Sequence, residues 1–172
     1  MTSKPPSCVF TGHGSASLGI HVYGEIDDDN AAAFAEALRW AEARLPDGCV
    51  LPVYVSSMGG DVYCAQQMCD LMAASHLTID TVTVGQCMSA AALIFSHGRR
   101  RFVGPRATIM LHDVRLSGLF DGHLVDCEIE TREARRLNKS MWLTMSQNCG
   151  QPESFFQERV RDQNGDLYVT PQ

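Results

Sequence analysis

Ser89 follows the β-rich run Ile79 to Val84, which is expected to break at Gly85, and it opens an apolar stretch that continues through Phe95. A hydroxyl in that position lies beside the unsatisfied N–H groups of a helix N-terminus, so charge developing next to it is stabilised by backbone dipoles. That is a setting for a serine nucleophile; the competing role is a simple helix cap. A nucleophile also needs a general base, an oxyanion site and an orienting acid. Of the six histidines, His112 stands at the C-terminal end of the predicted strand Thr108 to Leu111. Catalytic groups of open parallel sheets collect outside such strand ends, although an ordinary loop histidine would occupy the same place. Gly59-Gly60, after another predicted strand, lets backbone N–H groups approach a ligand closely, or else serves only as a tight turn needing positive φ. For the acid, Asp113, Asp126, Asp162 and Asp166 all qualify, and spacing does not choose among them.

The elements that must carry these residues alternate along the chain. Leu18 to Tyr23 reads as a strand ending at Gly24, and Asp27-Asp28-Asp29-Asn30 supplies N-cap chemistry for a helix over Ala31 to Leu45. Val50 to Val55 is an almost entirely apolar strand, the pattern of a sheet covered on both faces. It runs into Ser56-Ser57-Met58-Gly59-Gly60-Asp61, followed by a helix over Val62 to Ala74. Further strands are expected over Ile79 to Val84, Arg101 to Val103 and Thr108 to Leu111. This order argues for an α/β fold with a largely parallel sheet. From Asp121 to about Cys149 one long amphipathic helix is predicted, longer than a domain of this size requires, so it either overhangs its own core or offers a surface to a partner. A helix from Pro152-Glu153-Ser154 through Arg161 and a terminal segment Asp166 to Thr170 complete the series.

A chain of 172 residues with 45% hydrophobic content is expected to form one domain with a real core. Residues 1–17, rich in Ser, Gly and Pro, read as a flexible N-terminal segment ahead of a single domain over 18–172. The net charge of −6 and the shortness of the one basic run, Arg99-Arg100-Arg101, argue against nucleic acid as a partner. Seven irregularly spaced cysteines without a Cys-x-x-Cys favour reduced, buried thiols over disulfides or a metal site, and no cofactor is called for. With no signal-like start and no run of membrane-spanning length, a cytoplasmic protein without membrane association is expected.

Four segments together resemble one family. Ser56-Ser57-Met58-Gly59-Gly60-Asp61-Val62, Gly85-Gln86-Cys87-Met88-Ser89-Ala90, Ile109-Met110-Leu111-His112, and Asp126-Cys127-Glu128-Ile129 with Arg132-Glu133 are similar to the proteolytic subunit of the Clp protease, the ClpP family. They occur in the family's order and at nearly its spacings, from about Gly24 to Thr170. The resemblance implies a ClpP/crotonase-like fold of repeated β-β-α units, a mostly parallel sheet and a protruding "handle" helix. It further implies a serine endopeptidase with Ser89 as nucleophile, His112 as general base and Asp166 as acid, since Asp166-Leu167-Tyr168-Val169-Thr170 fits the family's pattern after that acid. The implied oxyanion donors are the backbone N–H groups of Gly60 and Ala90. Unfolded polypeptide substrates, a homo-oligomer of heptameric rings that can stack into a double-ring tetradecamer, and a hexameric ATPase that feeds the chamber are the implied partners.

The chain also departs from that pattern. The family's proline in the second-strand motif is Met58, and Asp113-Val114 replaces the Gln-Pro after the histidine, so specificity is expected to differ. Asn164-Gly165 stands where an arginine usually precedes the acid, with about three residues inserted upstream by comparison of the motifs, which bears on ring stacking. The N-terminal portion lacks the basic, amphipathic first-helix signature that supports ATPase docking. The sequence stops at Gln172, so Asp166 is expected near a fraying end. Two other functions are weighed against the peptidase: a catalytically inactive or regulatory ring subunit, and a crotonase-type acyl-CoA enzyme, which shares the broad fold but normally uses carboxylates.

Overall fold

The computed structural model describes residues 8–11, 19–116 and 123–171. The chain divides into two compact units, Met1–Met110 together with Tyr168–Gln172, and Leu111–Leu167. The elements, in order, are β1 (Cys8–Thr11), β2 (Gly19–Ile26), α1 (Asp28–Glu42), β3 (Val50–Gly60), α2 (Val62–Ala74), β4 (Thr78–Met88), α3 (Ala90–Ser96), β5 (Arg101–Val103), β6 (Thr108–His112), α4 (Leu124–Asn148), α5 (Phe155–Asp162) and β7 (Asp166–Val169). This is a mixed α/β fold with a mostly parallel sheet. Of the stretch expected to be mobile, Cys8–Thr11 forms a strand antiparallel to β2, and the rest lies outside the described residues.

The sheet runs β1-β2-β3-β4-β6-β7, with β5 also paired to β4. β2 to β3, β3 to β4, β4 to β5 and β4 to β6 are all parallel. Because β2, β3 and β4 follow one another without reversal, right-handed crossovers put every connecting helix on the same side; α1 packs on α2 and α2 on α3. The expectation of two covered faces for β3 is therefore corrected. Leu51, Val53, Val55 and Ser57 are buried under the helices, whereas the alternating Pro52, Tyr54 and Ser56 are only half-buried. On that second face Tyr23, Val84 and Phe102 stay exposed. The core between sheet and helices holds Ile20, Val22, Leu51, Val53 and Val55 against Phe34, Leu38, Met68, Leu93 and Ile94, all essentially inaccessible.

Local chemistry explains the element ends. Asp27 caps α1 by accepting from the Asn30 N–H at 2.8 Å, and Asp61 caps α2 by accepting from the Cys64 N–H at 2.9 Å. The predicted break at Gly85 does not occur: Gly85 takes φ +91° inside β4, which continues to Met88. The basic run is structural. Arg99 and Arg100 pair with the buried Asp80, and Arg101 donates to the carbonyls of Ser96 and Gly98 at the end of α3.

In the second unit, the 25-residue α4 buries Leu137, Met141, Trp142 and Met145 in its C-terminal half. Its first turns leave Leu124, Val125 and Ile129 exposed. No helix among the described residues is long and apolar enough to cross a membrane.

Candidate active site

Ser89 sits where β4 ends and α3 begins, with φ +54° and ψ −125°. A non-glycine residue held there stores about 1–3 kcal/mol of strain, which persists only where the surroundings enforce it. The enforcement is visible: the Ser89 N–H donates to the Met110 carbonyl at 2.8 Å, and the Ser89 carbonyl accepts from the Ala92 N–H at 2.9 Å. The side chain makes no capping hydrogen bond to α3. A serine at an N-cap position that does not cap leaves its hydroxyl available for chemistry, as in other sharp strand-to-helix turns that carry nucleophiles. Ala90, the first residue of α3, contributes one of the N–H groups that the helix itself cannot satisfy.

Gly59 is packed directly against this turn. A Cβ at Gly59 would lie 2.7 Å from the Ser89 Cβ, 2.7 Å from the Met88 carbonyl oxygen and 3.1 Å from the Ala90 nitrogen. With φ +96° in addition, no residue other than glycine fits. Gly60 is equally confined, since its Cβ would fall 2.3 Å from the Ile26 carbonyl oxygen. The first unit thus brings together Ser89, Ala90 and the Gly59-Gly60 loop.

The second unit holds His112 and Asp166 but does not join them. The His112 Nδ1–H donates to the Asp113 carbonyl at 2.6 Å, and the Asp166 carboxylate accepts from Arg115 at 2.5 Å. A carbonyl partner requires the proton on Nδ1, which leaves Nε2 as the lone-pair nitrogen, the tautomer a general base needs. Asp113, one of the four candidate acids, has another task. Its Oδ1 accepts from Asn138 Nδ2 at 2.7 Å and from the buried Trp142 Nε1 at 2.9 Å. Asn138 Oδ1 in turn accepts the Val114 N–H at 3.0 Å. The segment after the histidine is therefore clamped to α4, beside a cleft of about 650 Å³ lined by Arg135, Asn138, Lys139, Trp142 and Arg161 among others. Sequence reasoning missed Asn138, Trp142 and Arg115. A tryptophan on the packed half of an amphipathic helix, with an asparagine one turn before it, was the available signal, because a buried indole N–H requires a partner.

A strained serine at a strand-to-helix turn, a backbone N–H beside it and a glycine packed on it form an arrangement suited to acyl transfer. The family profile described as Clp protease matches residues 15–171. The chain belongs to the Clp protease family. As a Clp protease it is a peptidase by family, and the matched stretch contains Gly59, Gly60, Ser89, Ala90, His112 and Asp166. In this Clp protease the buried thiols are held protonated. Burial, then hydrogen bonds to Asp28 and Asp61, pushes Cys64 up to about 12, and burial pushes Cys87 up to about 12. Neither forms an appreciable thiolate near neutral pH.

Proposed function

We infer that this Clp protease is a serine endopeptidase acting on unfolded polypeptides. The observation that carries the reading is Ser89 held at φ +54° with its side chain uncommitted to the helix it precedes. In the proposed reaction Ser89 Oγ attacks the peptide carbonyl as His112 Nε2 takes its proton. The N–H groups of Gly60 and Ala90 receive the oxyanion. The proton on His112 passes to the leaving amine, and water, deprotonated by the same nitrogen, hydrolyses the acyl-enzyme. Asp166 orients His112 and stabilises its charged form. The apolar residues on the bare sheet face and on the first turns of α4 support burial in an oligomer; the assembly proposed, by analogy with the family, is heptameric rings stacked in pairs and fed by a hexameric ATPase in the cytoplasm. Incubation with a fluorophosphonate probe tests the chemistry. A single adduct at Ser89 in assembled protein is expected, and its absence there would leave the inactive ring subunit, a reading favoured by the two diverted bonds of His112 and Asp166. Casein hydrolysis with and without the ATPase tests the partner.

Those diverted bonds set an expectation of their own. To orient the imidazole, Asp166 must leave Arg115 while His112 leaves the Asp113 carbonyl. The Arg115–Asp166 pair is partly exposed, 63% and 39% at the side chains, so it holds this arrangement by no more than about 1 kcal/mol. Arg115→Gln is expected to raise basal peptide turnover by up to about fivefold, with added salt producing part of the same rise in the parent enzyme. An unchanged or lower rate for the variant would show that the pair does not restrain the acid.

A further inference from the structure

Two irregularities in the sheet coincide at one buried side chain. Between β2 and β3 the register passes from Tyr23 opposite Ser56 to Glu25 opposite Gly59, so Gly24 alone faces Ser57 and Met58. Between β3 and β4 it passes from Val55 opposite Thr83 to Ser57 opposite Cys87, two residues before Ser89. Ser57, fully buried, replaces the ladder bonds lost at the first break. Its hydroxyl donates to the Gly24 carbonyl and accepts the Gly59 N–H at 3.0 Å. Gly24 is itself fixed at φ +78°. The fully buried Asn30 brackets it from α1, its Nδ2 donating to the Tyr23 carbonyl at 2.9 Å and the Glu25 carbonyl at 2.8 Å.

A continuous hydrogen-bonded path therefore runs from the buried Asn30 through the exposed Gly24 bulge to the buried Ser57 and Gly59, and Gly59 is packed on Ser89. Bulges re-aim strand ends beside active sites, and here both breaks displace the ends that carry the glycine pair and the serine. We propose that Ser57, braced by Asn30 through Gly24, is a positioning residue that sets the Gly59-Gly60 oxyanion loop against Ser89. The proposal rests on the serine-peptidase reading above. Ser57 touches no reacting atom. Its contribution is confined to the transition state, because the loop it fixes meets the substrate carbonyl only as charge develops on the oxygen.

The test compares the assembled parent enzyme with Ser57→Ala in hydrolysis of a fluorogenic peptide and inhibition by a peptide boronate, which mimics the tetrahedral intermediate. A misplaced loop lowers kcat by about 10²-fold, with KM within about twofold. Boronate affinity falls by the same factor as kcat, and the pH profile of kcat/KM, set by the histidine, does not move. Wild-type kcat in the folded variant, or a loss of kcat without loss of boronate affinity, overturns the positioning role. If Ser57→Ala does not assemble, Asn30→Asp carries the same test, since it keeps the side-chain size and removes both N–H donations; wild-type kcat in that folded variant likewise overturns the proposal. Fluorophosphonate labelling of the parent enzyme separates the two levels. A parent enzyme that is not labelled at Ser89 sinks the peptidase reading, whereas a labelled parent with an unaffected Ser57→Ala sinks the positioning role alone.

Discussion

Ser89→Ala is expected to lower peptide hydrolysis by about 10⁶-fold, the loss typical when the nucleophile of a Ser-His-Asp site is removed. Binding of unfolded polypeptide should survive it, since the hydroxyl makes no capping bond on which α3 depends. A second substitution at the same position separates chemistry from strain. Ser89→Gly should be as inactive as Ser89→Ala yet more stable than it by about 1 kcal/mol, because glycine adopts positive φ without the penalty that alanine inherits. Urea midpoints at one protein concentration measure the difference. An alanine variant as stable as the glycine variant would mean that the turn stores no strain, and substantial residual hydrolysis in both would remove Ser89 from the reaction.

Arg100→Gln is expected to destabilise the fold by about 3 kcal/mol, more than Asp80→Asn, for which about 1–2 kcal/mol is expected. The two partners differ in what their loss leaves behind. Asp80 is 4% exposed at its side chain while Arg99 and Arg100 are 57% and 59% exposed. Without Asp80 the arginines turn to water. Without the Arg100 guanidinium a carboxylate stays buried, keeping only the Arg100 N–H at 3.2 Å and the Arg99 Nε at 3.5 Å. The pH dependence follows the same balance. Burial pushes the Asp80 pKa up, but the hydrogen bonds and charge of Arg100, with help from Arg99, bring it below the ordinary 3.8. Its stabilisation is thus complete above the ordinary carboxylate range and is lost as pH falls through the depressed native value. In Arg100→Gln burial should dominate and raise the native pKa, so the deficit relative to the parent should shrink as the carboxyl protonates on acidification. A deficit that stays constant down to pH 3 in urea titrations would refute this account.

Much of this was legible in the sequence because it is written in local chemistry. Asp27 and its neighbours announce the cap of α1, Val62 to Ala74 is a helix at the predicted bounds, and strand-turn-helix spacing locates Ser89. What was not legible depends on partners distant in the chain. The apolar run of β3 suggests two covered faces, yet the winding direction that leaves one face bare is a property of strand order. Gly85 looks like a strand breaker, but a bulge absorbs it because Ser57 pairs with Cys87 across the break. Nothing in the residues around His112 reveals that the next residue's carbonyl accepts its Nδ1–H, or that an arginine three positions on pairs with the candidate acid. These are competitions among equally plausible bonds, decided by where a loop lies.

The first unit is assembled from Met1–Met110 and Tyr168–Gln172, with 111–167 forming a separate unit between them. On the ribosome, its final strand becomes available only after that entire intervening stretch has been synthesised. Contacts of such sequence separation form late, and Asp166, at the start of the same strand, is made late too. The sheet of the first unit is therefore completed by residues that follow the whole of the second unit in the chain, and the proposed acid is made well after Ser89.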